Sequence, residues 1–421
     1  MAAAAPRDPA SAWKNPDVSG GGSIETTPVQ VRRVSAVLRG EGDRVVPLEL
    51  FFDLVFVLAF TQCTALMAEQ PTWEGLAKGL LVLGVLWWCW VGYAWLTSVV
   101  NPEEGVVRLA MFGAMAALLV VGLAVPGAFE DHGLLLACAY GLVRVGHIVL
   151  FAIASRDDRA LRQSVIGLAV STAIAVGILV GASFADGMLQ GGLWALALGL
   201  DMAGPYFFGS EGWRLVPAHF AERHGLVIIL ALGESIVVLG IGASHGLAAG
   251  VVVAATIGIA ISCALWWMYF DVVALISERR LQDAAPGRER NEMARDTYSY
   301  LHFPMVAGIV LLALGLEQTL AHVHEPLEWE PAVALLGGVA LYLLAHVAIR
   351  LRNAHSLSWV RLGLAGVLLA LIPLAHEVDA LVAIAIVAGL LALAIAWETV
   401  HYGERRRRLR QHLDEAPPTP S

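Results

Sequence analysis

Residues 379 to 408 decide the fold class, and they read DALVAIAIVAGLLALAIAWETVHYGERRRR. The first part is an apolar stretch of about 20 residues, the length that an α-helix needs to cross the hydrocarbon core of a bilayer. Four consecutive arginines, Arg405 to Arg408, follow it closely. Because cytoplasmic flanks of membrane helices are enriched in arginine and lysine, this stretch predicts a transmembrane helix that ends in the cytoplasm.

The rest of the chain repeats this apolar character. Hydrophobic residues make up 58% of the 421 residues and charged residues only 15%, whereas soluble domains carry about 25% charged residues. The fold class predicted is therefore an all-α polytopic membrane protein with about twelve transmembrane helices. The predicted spans are approximately 47–67, 76–98, 107–126, 134–154, 161–183, 190–208, 223–243, 247–275, 299–320, 332–350, 358–375 and 379–400.

Positive charge falls on every second connection between these spans. All 27 lysine and arginine residues except Lys78 and Arg144 lie in the two tails or in these alternate connections and their flanks. The other connections carry mainly acidic residues. By the positive-inside rule, both termini are predicted to lie in the cytoplasm. Omission of any one helix would break the alternation, so the charge pattern favours twelve spans.

The chain divides into two membrane halves between polar tails. Residues 1–44 are rich in Gly, Ser and Pro, which predicts a disordered cytoplasmic tail. Residues 403–421 form a basic and then Pro-rich cytoplasmic tail. Residues 45–208 and residues 209–402 would each contain six spans.

A weak internal repeat relates the two halves. Trp87 and Trp88 of the second span correspond to Trp266 and Trp267 of the eighth, and a histidine motif of the fourth span recurs in the tenth. These matches pair helix n with helix n+6. Because six is even, they predict two parallel six-helix repeats, an arrangement in which transporters place the substrate site between the halves.

Glu49, Asp53 and Glu234 are acidic residues within the predicted spans. Glu49 and Asp53 have the i, i+4 spacing that places both carboxylates on one face of the first helix. Glu234 lies near the middle of the seventh span, between a glycine and a serine. Ionisable groups in hydrocarbon are costly and usually face the bundle interior, so all three are candidates for transport or coupling. Hydrogen bonds that only hold helices together are the alternative.

Arg144 is the basic residue predicted at membrane depth, and His147 follows one turn later. A buried charge needs a partner, and the acids available to Arg144 are Glu234, Asp53 and Asp201. Asp201 lies beside the helix-breaking Gly204 and Pro205, where freed carbonyls could bind an ion. A structural ion pair is as compatible with the sequence as a functional one.

The seventh span begins with Glu222, Arg223 and His224, and the ninth contains His302. Glu222, Arg223 and His224 are candidates for transport or coupling. Histidine titrates near neutral pH, so His302 and His346, which lies late in the tenth span, are candidates for proton relay. A hydrogen bond between helices is the alternative for each.

Several chemistries have no support in the sequence. There is no phosphate-binding P-loop, no nucleophile elbow and no HExxH zinc motif, so we expect no cofactor and no metal site. The four cysteines have no metal-ligand spacing. The net charge of −9 does not indicate a nucleic-acid partner. The partners expected are the lipid bilayer and an unknown small solute or cation, and the sequence leaves the oligomeric state open.

Three stretches resemble the signatures of the bacterial low temperature requirement A (LtrA) family. They are Pro47–Val57, His219–Leu226 together with Leu232–Ile236, and Tyr300–Pro304. The resemblance runs from about residue 44 to residue 400. It implies a multi-pass protein of the bacterial inner (cytoplasmic) membrane, linked by the family name to growth in the cold, whose transported species is not established.

The buried charges and the repeat together favour a secondary transporter or permease for a small solute or ion, coupled to protons or to a cation. A passive cation channel is an alternative, because the Phe-Asp of the first span weakly resembles a signature of the two-repeat lysosomal potassium channels. An intramembrane enzyme acting on lipids is a second alternative, although the sequence favours a non-enzymatic protein. A membrane protein whose buried polar groups are purely structural is a third.

Overall fold

The computed structural model describes residues 44–103, 105–207, 212–242 and 248–414, with side chains as far as residue 401. The predicted disordered tail at residues 1–44 lies outside these residues apart from Arg44. The predicted C-terminal tail is described only as helical backbone up to Asp414.

The described chain is built from α-helices. Three π-helical segments, Tyr269–Val273, Ala294–Tyr300 and Val333–Gly337, interrupt the second half. The α-helices are α1 (Pro47–Glu69), α2 (Trp73–Val99), α3 (Gly105–Ala124), α4 (Gly133–Ala154), α5 (Arg159–Ala182), α6 (Gly187–Phe207), α7 (Pro217–Gly242), α8 (Ala249–Met268), α9 (Ala274–Asp283), α10 (Arg288–Met293), α11 (Phe303–Ala321), α12 (Trp329–Ala332), α13 (Gly338–Ala354), α14 (Trp359–Ala370), α15 (Ile372–Ala375) and α16 (Ala380–Asp414).

Every predicted span coincides with helical structure, and the all-α polytopic membrane fold is confirmed. Within the described residues, 10 helical stretches are long and apolar enough to cross a membrane. The sixth predicted span, α6, is not among them, because Gln190 and Asp201 make it less apolar. The eleventh is divided at Leu371 into the 12-residue α14 and the short α15. The number twelve therefore stays a prediction.

The arginine-bearing connections meet one another at one end of the helix bundle. Arg214 lies 3.5 Å from Asp158, and Arg352 lies 3.0 Å from Asp296. These contacts join the connection after α4 to the one after α6, and the π-helical segment Ala294–Tyr300 to the end of α13. We call this end of the molecule the arginine-rich end.

Two of the remaining connections, those after α11 and after α15, meet at the other end, which we call the acidic end. Ala380 N donates a hydrogen bond to the carbonyl of Glu325 over 2.9 Å, and Pro326 pairs with Asp379 as an isolated antiparallel bridge. These contacts agree with the predicted charge alternation, which stays a prediction.

Helix packing follows the same plan in the two predicted halves. α11, α13 and α16 make up most of the ninth, tenth and twelfth predicted spans. α1 packs against α3 as α7 packs against α11, and α2 packs against α6 as α8 packs against α16. The pairs α3–α4 and α4–α5 correspond in the same way to α11–α13 and α13–α14. These pairings support the predicted repeat, which stays a prediction.

The core lies around α1, α2, α7 and α11. The aromatic side chains of Trp87, Trp90 and Tyr93 on α2 are fully buried there. Large apolar side chains such as Leu109 and Leu142 are instead exposed on the outer helices. An apolar outer surface on membrane-length helices places the bundle in contact with lipid.

Candidate functional site

Two acids of α1 meet two bases of α7 in the core. Arg223 donates a hydrogen bond to Asp53 over 2.8 Å and lies 3.5 Å from Glu49. His219 Nε2 lies 3.0 Å from one carboxylate oxygen of Glu49 and 3.1 Å from the other. None of the four side chains is exposed. We call Glu49, Asp53, His219 and Arg223 the carboxylate cluster.

Local sequence explains how the carboxylate cluster forms. Each helix contributes residues at i, i+4 spacing, so two acids on one helix face oppose two bases on another. Pro47 begins α1, and the amide of Val46 donates to Glu49 over 3.0 Å. An acid in the first turn also interacts favourably with the positive end of the helix dipole.

The distances constrain the protons of the carboxylate cluster. Two lone pairs would repel at 3.0 Å, so His219 Nε2 and Glu49 share at least one proton. Arg223 is charged under all ordinary conditions and balances one carboxylate. The cluster is electrically neutral only when a further proton resides on His219 or on an acid.

Trp90 of α2 closes one side of the carboxylate cluster. Its indole Nε1 donates to Asp53 Oδ1 over 2.9 Å, and the guanidinium of Arg223 lies over its ring at 5.6 Å from the centroid. Asp53 Oδ2 and Arg223 Nε are buried and have no hydrogen-bond partner among the described residues. The cluster thus retains hydrogen-bonding capacity for an additional small polar group.

A row of histidine and tyrosine rings adjoins the carboxylate cluster. His224 lies edge-on to Trp90, with ring centroids 4.9 Å apart. It also lies 5.1 Å from the ring of Tyr298 and 5.4 Å from that of His302. The His224 Nδ1 atom lies 2.8 Å from the carbonyl of Phe220, so this nitrogen carries the hydrogen.

The tautomer of His302 follows from its two partners. Its Nδ1 lies 2.8 Å from the carbonyl of Thr297 and must donate. Its Nε2 therefore accepts from the hydroxyl of Tyr269 over 2.9 Å. Both partners lie in π-helical segments, which occur frequently at functional sites.

The row continues to α13. Tyr269 stacks on His346, whose Nδ1 accepts from Arg361 over 2.9 Å. Arg361 makes two hydrogen bonds to Glu398, of 3.0 and 3.1 Å. We call His224, Tyr298, His302, Tyr269 and His346 the histidine row.

Glu234 lies deeper along the contact between α1 and α7. The hydroxyl of Thr61 and the Oε2 of Glu234 are 2.5 Å apart. Glu234 is fully buried, and its Oε1 has no partner among the described residues. Glu234 is therefore separate from the carboxylate cluster but belongs to the same helix contact.

Arg144 pairs with Asp201 over 3.0 Å, within the first half. Thr172 donates to the same carboxylate over 3.1 Å, and Tyr140 donates to its other oxygen over 3.1 Å. His147 lies beside Arg144, and both line a cavity of about 70 Å³ toward the arginine-rich end. Of the three acids that the sequence offered to Arg144, the structure selects Asp201.

The structure does not gather all the predicted residues into one cavity. Glu49, Asp53 and Arg223 come together, and His224 and His302 adjoin them. Glu234 stands apart, and the group around Arg144, His147 and Asp201 lies elsewhere. Glu222 is exposed, and it accepts a hydrogen bond from Val45 N over 3.2 Å.

Sequence reasoning did not assign a role to His219, Arg361 or Glu398. His219 lies four residues before Arg223, the same spacing as the two acids of α1, and this spacing could have identified it. Arg361 and Glu398 lie near predicted span ends, where charged residues ordinarily face water.

The profile of the family described as bacterial low temperature requirement A protein (LtrA) matches residues 44–396. The chain belongs to this family. A relative from Rhizobium meliloti (strain 1021), named uncharacterized protein RA0937, is 30% identical over 308 residues, which cover 70% of this chain and 74% of that protein. No solved structure matches the chain.

The three stretches that resemble LtrA signatures pack together in this LtrA protein. The first supplies Glu49 and Asp53, the second supplies His219, Arg223 and Glu234, and the third begins α11, which contacts both α1 and α7. Side chains from the first two stretches pair directly, so the carboxylate cluster is assembled from the signatures themselves.

Proposed function

We propose that this LtrA protein is a secondary transporter that couples movement of a small solute or ion to protons, with the carboxylate cluster as its proton site. The observation that carries the proposal is the complete burial of Glu49, Asp53, His219 and Arg223 at the contact of α1 and α7. These are the first helices of the two predicted halves.

Both ion pairs of the carboxylate cluster cross between the halves. A conformational change that moves one half against the other would separate Asp53 from Arg223 and Glu49 from His219. Protonation of an acid removes its attraction for the opposing base, so it changes the free-energy difference between the two conformations. Proton binding is thereby linked to exposure of the substrate site, as coupled transport requires.

Glu234 provides a second acidic group at the same helix contact. Its partner Thr61 lies eight residues after Asp53 on α1, which corresponds to about 12 Å along the helix axis. The contact between α1 and α7 thus carries acidic groups at two depths, the carboxylate cluster and Glu234. Such an arrangement suits a path for protons toward the middle of the membrane.

Solute-driven proton movement tests the proposal. Purified protein is reconstituted in liposomes that contain a pH-sensitive dye, and a panel of amino acids, sugars and cations is applied outside. We expect at least one solute to change the internal pH with the wild-type protein. The response should vanish with Asp53→Asn and persist with Asp131→Asn, an exposed acid at the acidic end.

An ion current without proton movement, unaffected by Asp53→Asn, would contradict coupling and favour the passive cation channel. A pH response of equal size in wild type and Asp53→Asn would remove the carboxylate cluster as the proton site.

A further inference from the structure

A second polar site lies at the arginine-rich end of the second half. A pocket of about 790 Å³ opens between α9, α13, α14 and α16. This volume lies within the usual range of about 300–1,000 Å³ for small-molecule sites. His346, the last member of the histidine row, lines this pocket. None of the four residues of the carboxylate cluster does, so the pocket is separate from that cluster.

The charged lining of this pocket is mainly positive. Arg361 is paired with Glu398, and Arg279 lies 3.9 Å from Asp283. The charged residues that line it are Arg279, Arg280, Arg350, Arg361, Asp283 and Glu398.

Two of these arginines supply the excess charge. Arg350 donates to the hydroxyl of Ser356 over 3.0 Å. Neither Arg280 nor Arg350 has a carboxylate within ion-pair distance in the part of the chain that the structure describes. The pocket therefore offers two guanidinium groups to an anionic ligand.

Buried donors without acceptors also line the pocket. His346 Nδ1 accepts from Arg361, so the hydrogen of this ring is on Nε2. Asn353 accepts a hydrogen bond from Thr297 at Oδ1, which leaves its Nδ2 as a donor. His346 is 2% exposed and Asn353 is 7% exposed. His346 Nε2 and Asn353 Nδ2 have no partner among the described residues, so an acceptor-rich ligand would satisfy both.

Aromatic side chains form the apolar wall of the pocket. Trp359 and Trp397 line it and remain 72% and 40% exposed. Tryptophan at this level of a membrane protein lies among lipid headgroups. The pocket thus combines positive charge, buried donors and an apolar wall at the membrane surface.

We propose that this pocket binds the phosphate-bearing headgroup of an acidic phospholipid, with Arg280 and Arg350 on the phosphate and Asn353 and His346 as donors deeper in the pocket. Basic pockets between membrane helices bind such headgroups in other proteins. The acyl chains would lie along Trp359 and Trp397 toward the bilayer. This inference does not depend on the transport proposal.

Native mass spectrometry of the full-length protein in detergent measures the binding. Phosphatidylglycerol, phosphatidylcholine and inorganic phosphate are titrated separately. We expect phosphatidylglycerol to bind most tightly, and we expect Arg280→Gln/Arg350→Gln to weaken it about 25-fold, at about fivefold for each basic side chain near an anionic surface. The control is Arg156→Gln/Arg159→Gln, two exposed arginines at the same end but outside the pocket.

A second variant, Asn353→Leu, tests the pocket without changing any charge. It should weaken phosphatidylglycerol binding several-fold while phosphatidylcholine binding is unchanged. If millimolar inorganic phosphate displaces phosphatidylglycerol, the pocket is a site for free phosphate, and the proposal that its ligand is a lipid is overturned. Equal losses in the pocket and control variants, or no loss in either, would overturn the site itself.

Discussion

Arg223 of α7 donates a hydrogen bond to Asp53 of α1 over 2.8 Å, and neither side chain is exposed. The same guanidinium lies 3.5 Å from Glu49. A buried charge is tolerated only beside a partner, because its desolvation is costly. The charge balance of the core is therefore a property of the contact between two helices and not of either helix alone.

A double-mutant cycle on Asp53 and Arg223 should reveal strong coupling. Asp53→Asn or Arg223→Gln alone leaves a buried charge without its main partner, which costs about 3–5 kcal/mol of unfolding free energy. The double variant should lose clearly less than the sum of the two. Thermal or denaturant unfolding in detergent measures all three variants.

The matched control is the ion pair of Arg288 and Glu292, which has the same 2.8 Å distance but lies at the surface, with Arg288 76% exposed. Its coupling should be about 0–1 kcal/mol because solvent screens it. Additive losses at Asp53 and Arg223 would contradict the assigned pairing.

The membrane architecture could be predicted because lipid imposes simple rules on sequence. A stretch such as residues 379–400 is apolar throughout, and its arginine-rich flank specifies an end. The π-helical segment Ala294–Tyr300 could not be predicted, since its one extra residue per turn leaves no periodic signal. The division of the eleventh span at Leu371 was missed for a related reason, because Pro373 lies inside an apolar run and changes the backbone without changing hydropathy.

The acids of the carboxylate cluster could be predicted, but their partners could not. The spacing of Glu49 and Asp53 specifies that they share a helix face, whereas the helix that this face meets depends on rotation and packing. Arg144 illustrates the limit: three acids were available to it, and the structure pairs it with Asp201 of α6, although α4 packs mainly against α3 and α5. The sequence alone does not give the distance between two helices.

Glu234→Gln should abolish solute-driven proton movement while leaving the fold nearly intact. Glutamine retains an acceptor for the hydroxyl of Thr61, so the unfolding free energy should change by no more than about one hydrogen bond, 0.5–1.5 kcal/mol. The dye-loaded liposome assay measures proton movement, and thermal unfolding measures stability. Thr61→Val, which removes the partner but keeps the acid, should slow proton movement without abolishing it. Wild-type rates in Glu234→Gln would exclude Glu234 from coupling.

Arg144 and Asp201 should prove structural. Arg144→Met leaves Asp201 buried without its cation and should lower the unfolding free energy by about 3–5 kcal/mol. Arg144→Met/Asp201→Leu removes both charges and should recover most of that loss. Proton movement should persist in the double variant when it is assayed at a temperature where the protein is folded. Its complete loss would assign the pair to the transport path.

α11, which begins directly after His302, packs closely against α13, which carries His346. A Cβ atom on Gly308 would lie 2.5 Å from the carbonyl oxygen of Gly338, so the two backbones are in direct contact. Gly308→Ala should therefore destabilise the protein by about 1–3 kcal/mol through overpacking. Gly363→Ala in α14 is the control, because a Cβ atom there meets nothing within 4 Å. It should be neutral, or stabilising by up to about 1 kcal/mol, since alanine is the better helix former. Equal unfolding temperatures for the two variants would mean that the helices are further apart than this contact requires.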